Sequence, residues 1–551
     1  MPRAPMRCSS RSIALLVALG LCLSGCRRDK DSAPGPTSSA PAGAAPDPTG
    51  SAGAADPTSS GEAEAPPPPG GPTLVDLAGV AHPPAPIADG APRLGSTSML
   101  TEVRQKPHPG ATKVGYLRAG AVVEMEPGEH GNAGCPGGWR KIKPFGFVCI
   151  GPEATLDLQH PIVRALTRRP DFTQKLPYMY GIATRGGPVY GRIPTAEQLK
   201  DHEPNLKKHL AKWVKDKESG ATYGLDVWLK WRADKDAVPS ALDAMESRTT
   251  DAEIPWFLKD GQVVPNLSGK VKAKDAVKID DFSHHNGVAF VESFLSEGRR
   301  YNVSTDLRVL PADRFRPIRG SEFHGFEIGK DIDFPFALVR KKGAKKYRFD
   351  GKKMVAAGEV EWRSAIKLTG KQKMGGSRLY YETPEGFYVE DRSAGRVEPA
   401  KKMPGWGKKG EKWIDINLTK QVLVAYEGEK PVYATLVSSG EAGLGDPDKS
   451  KSTKRGIFRV HTKYLSITMD SEVVGEEFEL RDVPYVQFFE GGYALHGAYW
   501  HDTFGTPKSH GCVNLAPEDA RRLFFWTEPQ IPPGWQGVAR SLTGTVVFIH
   551  P

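Results

Sequence analysis

The chain has 551 residues and a formal net charge of +10. At about 150 residues per domain that length excludes a single ordinary domain and points to three or four units. The basic excess is scattered, with no nucleic-acid-binding motif, so nucleic acid is excluded as the expected partner; the charge suits anionic envelope polymers or an ordinary solvated surface.

Arg3, Arg7 and Arg11 precede an apolar run from Ile13 to Leu23. The run falls short of the roughly 20 residues that span a bilayer but suits the core of an export signal. It closes on Leu23-Ser24-Gly25-Cys26, which resembles the bacterial lipobox. That resemblance implies removal of residues 1–25 and lipidation of Cys26, which anchors the chain to a membrane. Arg27, not aspartate, follows the anchor, which by the same resemblance favours the periplasmic side of the outer membrane in a Gram-negative envelope. No other segment is apolar enough to cross a membrane. The signal carries three arginines and no acidic residue, so the exported chain keeps a charge of about +7, three fewer than +10.

Export also changes how the six cysteines are counted. Cys8 and Cys22 leave with the signal and Cys26 carries lipid. An oxidising compartment then favours pairing of Cys135 with Cys149, a short closed loop that stabilises by about 3 kcal/mol. Cys512 is left without a partner, as a reactive thiol would be.

Residues 26–95 are dominated by Pro, Ala, Gly, Ser and Thr, including Pro66-Pro67-Pro68-Pro69, and lack periodic apolar positions. They read as a tether reaching roughly 3 Å per residue where extended. Residues 96–152 show short apolar runs punctuated by glycine, the pattern of short strands. Residues 345–399 repeat their ending: Gly137-Gly138-Trp139-Arg140 through Phe147-Val148 aligns with Gly375-Gly376-Ser377-Arg378 through Phe387-Tyr388-Val389. Both segments resemble bacterial SH3-like modules, which act either as wall-binding units or as spacers. Between them, residues 153–344 read as an α+β accessory region. Thr195 and Gln198 form a capping-box pattern, and Leu206, Leu210 and Trp213 recur at helical spacing after Pro204. His284-His285 and His324 lack partners at metal-ligand spacing and read as structural, so no metal and no cofactor is expected.

From Trp413 the chain alternates with period two through Trp413–Asn417, Gln421–Tyr426, a turn at Glu427–Lys430 and Val432–Ser439. A helix is expected from Pro517, with Ala520, Leu523 and Phe524 on its buried face, and a closing strand at Thr545–Ile549. The whole reads as a mainly β, multidomain chain.

Just before that helix stands Cys512, after Ser509-His510-Gly511 and followed by Asn514; His496-Gly497 lies sixteen residues upstream of the thiol. A free thiol titrates near 8.5, so only about 3% is thiolate at pH 7. A nucleophilic role therefore requires a base, and an imidazole that holds the proton as imidazolium is the expected means of lowering the thiol pKa. His496 is the choice, on a loop folding back to the cysteine.

These residues, His496-Gly497, a spacer and Ser509-His510-Gly511-Cys512-Val513-Asn514, resemble the active-site signature of L,D-transpeptidases of the YkuD type. Ser452-Thr453 with Lys454-Arg455-Gly456-Ile457-Phe458 resembles the family's T-P-x-G-x-F element, with Lys454 in place of proline. Asn514 stands at a position that is arginine in many members and asparagine in others. The resemblance covers about residues 411–551. It implies a mostly β catalytic domain that attacks peptidoglycan stem peptides through a Cys512 thioester and forms 3→3 cross-links. His496 acts as base and then acid, oriented by the Gly497 carbonyl. Backbone N–H groups around Gly511 and Cys512 form an oxyanion hole, Ser509 and His510 shape the loop, and Asn514 contacts substrate. His501 and His461 lack motif support and read as surface or core residues. The acceptor is left open between a stem-peptide amine, a protein amine and water, and the reading from another class is a wall-binding scaffold without catalysis.

Overall fold

The computed structural model describes residue 87 and residues 89–166, 170–218, 253–269, 277–471, 478–539 and 542–551. The export signal, the Cys26 anchor and nearly all of the expected tether lie outside the described residues. Strands dominate the rest, in five sheets, in keeping with a mainly β chain. Among the described residues no helix is long and apolar enough to cross a membrane.

The C-terminal domain is built on a six-stranded sheet in the order Phe326–Glu327, Lys430–Leu436, Val422–Glu427, Lys412–Asn417, Val546–His550, Gly456–Arg459. Period-two alternation sorts its side chains. Ile414, Ile416, Leu423 and Ala425 enter one core, while Trp413, Val422, Val424 and Tyr426 enter another on the opposite face. Both faces are covered, which explains why Val422–Tyr426 is apolar throughout. The closing strand, Val546–His550, lies parallel to Lys412–Asn417, so the end of the domain completes the sheet that its start began.

The first of these cores is closed by a second layer: the long strand Phe478–Glu490, the strand Tyr493–Gly497 antiparallel to it, the strand Val513–Leu515 parallel to the latter, and the helix Pro517–Trp526. Leu495, Val513, Leu515, Leu523 and Phe524 are all buried there. Pro517 starts the helix, where its missing N–H removes no bond. Lys463 ends it: its buried Nζ donates to the Phe524 carbonyl and, at 2.8 Å, to the Thr527 carbonyl, oxygens that a helix end leaves without internal partners. Asp519 ties the helix to the first sheet by accepting from Tyr433 Oη at 2.6 Å and from the Gly325 N–H at 2.9 Å.

The region 153–344 is more strand than helix. Its capping box on Ala196–His202 and its second helix, Leu206–Glu218, are present. Its main strand, Gly287–Ser296, pairs with Met179–Ala183 and touches the C-terminal domain through a parallel bridge from Gly287 to Leu480. Tyr180 packs its ring 4.3 Å from that of Tyr499 and donates to the Asp482 carbonyl at 2.7 Å. One sheet thus runs continuously from this region into the layer that holds Phe478–Glu490.

The two segments expected as small modules begin earlier than their sequence boundaries. The first strand of one is Arg93–Ser96, and Phe336–Val339 contributes to the core of the other. Their repeated endings fold as antiparallel hairpins, with Arg140 opposite Val148 and Tyr381 opposite Val389. Cys135 and Cys149 are joined in a disulfide. The N-terminal segment is not strung on a free linker at its far end: Lys113–Leu117 pairs with Gly537–Val538, Trp535 fills its core, and Arg118 pairs with Asp482 at 2.6 Å.

Candidate active site

His496 and Cys512 come together because two short parallel strands are adjacent. Leu495 lies opposite Val513, His496 opposite Asn514 and Gly497 opposite Leu515. Alternation then sets the faces. Leu495, Val513 and Leu515 point into the helix-covered core, whereas Ala494 and Cys512 pack on the opposite side with Tyr178, Tyr180, Ala289 and Trp500. His496 and Asn514 share that second face by the same alternation. The thiol thus stands two residues before Asn514, the register partner of His496, and Trp500 is stacked 5.7 Å from the His496 ring.

The electrostatics differ from the expected ion pair. His496 is 2% exposed, and burial pulls its pKa down to about 4. Burial likewise pushes the Cys512 thiol up to about 11. At neutral pH the pair is imidazole and thiol, because a charged form of either would lose its hydration in this apolar setting. Burial thus favours a resting imidazole over the expected imidazolium. The thiol's partner here is the Gly492 carbonyl, 3.6 Å from Sγ. His496 Nδ1 faces the Gly497 carbonyl at 3.5 Å, which places its proton on Nδ1 and leaves Nε2 as the basic atom.

The loop between the strands is pinned along its length. Gly440 bridges to Ser509 and Ser438 to Asn514, and the Ser439 carbonyl accepts from the N–H groups of Lys508 and Ser509. Gln421 in turn fixes Ser439 by accepting from its N–H at 2.9 Å and donating to its hydroxyl at 2.6 Å. Thr453, in the Ser452–Phe458 element, donates to the Gly511 carbonyl at 2.8 Å and accepts from the Gly440 N–H at 2.9 Å. Lys454, where the family pattern has proline, pairs with Glu490 at 2.7 Å. Ser509 shapes the turn as expected: its hydroxyl donates to the Cys512 carbonyl and accepts from the Gly511 N–H. That bond occupies the Gly511 N–H, which removes it from the expected oxyanion hole. His510 is exposed on the loop.

Gly511 must be glycine, though for a reason other than substrate approach. Its φ is +137°, and a Cβ there would stand 2.8 Å from the Tyr493 ring. Gly511→Ala is expected to displace Cys512 and lower turnover by about 100-fold, since a shift of about 1 Å at a reacting centre has that effect. Thermal unfolding and turnover of the variant check this, and a fully active Ala variant would remove the steric argument.

Asn514 is buried, and its side-chain nitrogen lies 2.8 Å from His501 Nε2. His501, read from sequence as an incidental residue, therefore belongs to the site. Gln421, Ser439, Tyr493 and Trp500 were also missed. The polar Ser438-Ser439-Gly440 ending of an apolar strand was the one local signal that a loop would be held there. His461 Nδ1 is 2.9 Å from Thr462 Oγ1. His284 and His285 stack on each other, and His324 bonds the Gly325 carbonyl. Among the described residues, no three His, Cys, Asp or Glu side chains are grouped to hold a metal ion.

Residues 411–549 match the family model of the YkuD L,D-transpeptidase catalytic domain. Solved structures that match include a mutant L,D-transpeptidase from Enterococcus faecium, at 22% identity over 25% of this chain and 50% of that one, with a TM-score of 0.20. An L,D-transpeptidase from Stackebrandtia nassauensis matches at 26% identity over 28% of this chain and 58% of that one, with a TM-score of 0.18. One from Mycobacterium smegmatis matches at 16% identity over 39% and 82%, with a TM-score of 0.21. The chain thus spans between half and three fifths of the first two. No curated protein matches it. The C-terminal part of the chain is a YkuD-type L,D-transpeptidase catalytic domain.

Proposed function

We propose, from the L,D-transpeptidase domain at residues 411–549, that this protein is an envelope-anchored enzyme that forms 3→3 cross-links between peptidoglycan stem peptides. The observation that carries the reading is the placement of a thiol and a neutral imidazole on one face: His496 pairs with Asn514 on adjacent parallel strands, and Cys512 stands two residues before Asn514, just ahead of its strand.

In the first half-reaction Cys512 Sγ attacks the carbonyl of the L-centre to D-centre bond in a stem tetrapeptide, and His496 Nε2 takes the thiol proton. The tetrahedral oxyanion collapses, the C–N bond breaks, and the leaving D-amino acid amine receives that proton from His496. A thioester remains on Cys512. In the second half-reaction the side-chain amine of a neighbouring stem attacks the thioester, gives its proton to His496, and the thiolate leaves and is reprotonated. The Gly497 carbonyl keeps the ring in the tautomer that both halves need. A lipid on Cys26 and the tether up to residue 95 would hold this domain at the periplasmic side of a membrane, within reach of the wall.

The test is incubation of the purified chain with disaccharide tetrapeptide and mass spectrometry of the products. A 3→3 linked dimer is the expected result. Tripeptide alone identifies hydrolysis, and unchanged substrate removes the reading.

A further inference from the structure

Asn514 is 2% exposed, and its side-chain oxygen is buried without a partner while its nitrogen faces His501 Nε2 at 2.8 Å. Tautomer logic does not allow that orientation to stand. His501 Nδ1 accepts the Thr503 N–H at 3.3 Å and lies 3.2 Å from Thr503 Oγ1. A ring nitrogen that accepts from an N–H carries no proton, so in a neutral imidazole the proton sits on Nε2. Partial burial next to Lys508 and Arg363, which outweigh Asp502, keeps the ring neutral, with a pKa pulled down to about 4; His496 is the other titratable neighbour. A protonated Nε2 is a donor and needs an acceptor. Of the two amide orientations, the one that satisfies it turns Oδ1 to His501.

The consequence is chemical. With Oδ1 bound to His501, the amide NH2 occupies the buried position that has no partner. It lies on the face shared by Cys512 and His496. The Gly511 N–H is already taken by Ser509, so the region where negative charge develops lacks one backbone donor. We propose that His501 is a positioning residue for the acyl transfer: its Nε2–H fixes the Asn514 carboxamide so that the NH2 donates to the oxygen of the carbonyl under attack. This rests on the transpeptidase reading above. A donor aimed at the developing oxyanion acts in the transition state and leaves ground-state binding nearly unchanged.

The test has an arm that does not require turnover. Long-range 15N–1H NMR on the full chain labelled in histidine is expected to show His501 with Nε2 protonated and Nδ1 bare between about pH 5.5 and 8. The Nδ1–H tautomer or an imidazolium there overturns the proposal, even in a folded and active enzyme. In the kinetic arm, His501→Phe is expected to lower kcat on the tetrapeptide about tenfold or more with KM within about twofold, and His501→Gln, which keeps a donor, to restore most of it. In an Asn514→Ala background His501→Phe is expected to have no further effect. Unchanged kcat in His501→Phe, or effects that multiply in the double variant, overturns the proposal. If the Phe variant does not fold, the Gln variant and the tautomer decide. A wild type that leaves tetrapeptide unchanged removes the transpeptidase reading and with it the assigned oxygen, whereas the NMR result separately judges the amide orientation.

Discussion

Cys512→Ala is expected to abolish 3→3 cross-linking, with a loss of at least about 10⁴-fold in turnover, while the chain unfolds within a few degrees of the wild type. The two halves of the expectation have different physical origins. In the proposed mechanism turnover depends on a covalent intermediate that needs the sulfur. Loss of the nucleophile leaves only the His496 base and the binding contacts, which cannot form a thioester. Stability depends little on the same atom. Sγ is at the partly buried edge of a cluster with Leu176, Tyr178 and Trp500, and its hydrogen bond to the Gly492 carbonyl is a long contact of 3.6 Å. Removing it leaves a small void with a cost of about 1 kcal/mol. The checks are product analysis on tetrapeptide and thermal unfolding of both forms. An Ala variant that still makes linked dimers would show that another group carries the acyl chain.

What could be read from the chain alone was local. The Pro517 helix, the period-two strands from Trp413 and the Thr195–Gln198 box each depend on neighbours a few residues apart, and each was found as expected. Cys512 and His496 could be placed near each other because the strand carrying His496 and the strand following Cys512 are joined by one loop and pair directly. The rest depends on contacts between distant segments. Nothing near Gly287 announces its bridge to Leu480, nor does Trp535 announce that it will fill the core around Val103 and Val148. The hydrogen bond from Thr453 to the Gly511 carbonyl and that between His501 and Asn514 depend on loop geometry, not on residue type. The protonation states depend on distant segments as well. Tyr178, Tyr180 and Ala289, from the region whose role was least legible, cover the face that holds Cys512, and this burial raises the thiol pKa instead of lowering it.

That burial leads to the second large effect, on pH dependence. If thiol and imidazole react as a neutral pair, the active form needs His496 unprotonated and the Cys512 proton available for transfer. With pKa values of about 4 and about 11, kcat/KM is expected to stay flat from about pH 5 to about pH 10. A preformed thiolate–imidazolium pair predicts instead a bell whose acid limb reports the thiol and whose alkaline limb reports the imidazole. Alkylation by iodoacetamide separates the cases without substrate. A thiol near 11 is only about 10⁻⁴ thiolate at pH 7, so the rate is expected to rise roughly tenfold per pH unit up to about pH 10. His496→Gln is expected to leave that alkylation rate nearly unchanged, because the imidazole holds no proton from the thiol, yet to lower acyl transfer by about 10²- to 10⁴-fold, the range of a general base. Acid unfolding must be followed alongside. The His496 pKa is depressed in the fold relative to about 6.5 in the unfolded chain, so the unfolded chain binds more protons between those values. Its contribution to stability is therefore present above about pH 6.5 and is lost as pH falls towards about 4. An acid limb near pH 6 to 7 in a protein still folded there, or alkylation that levels off below about pH 8, would mean that the pair is ionised in the resting enzyme and that His496 acts on the thiol before substrate arrives.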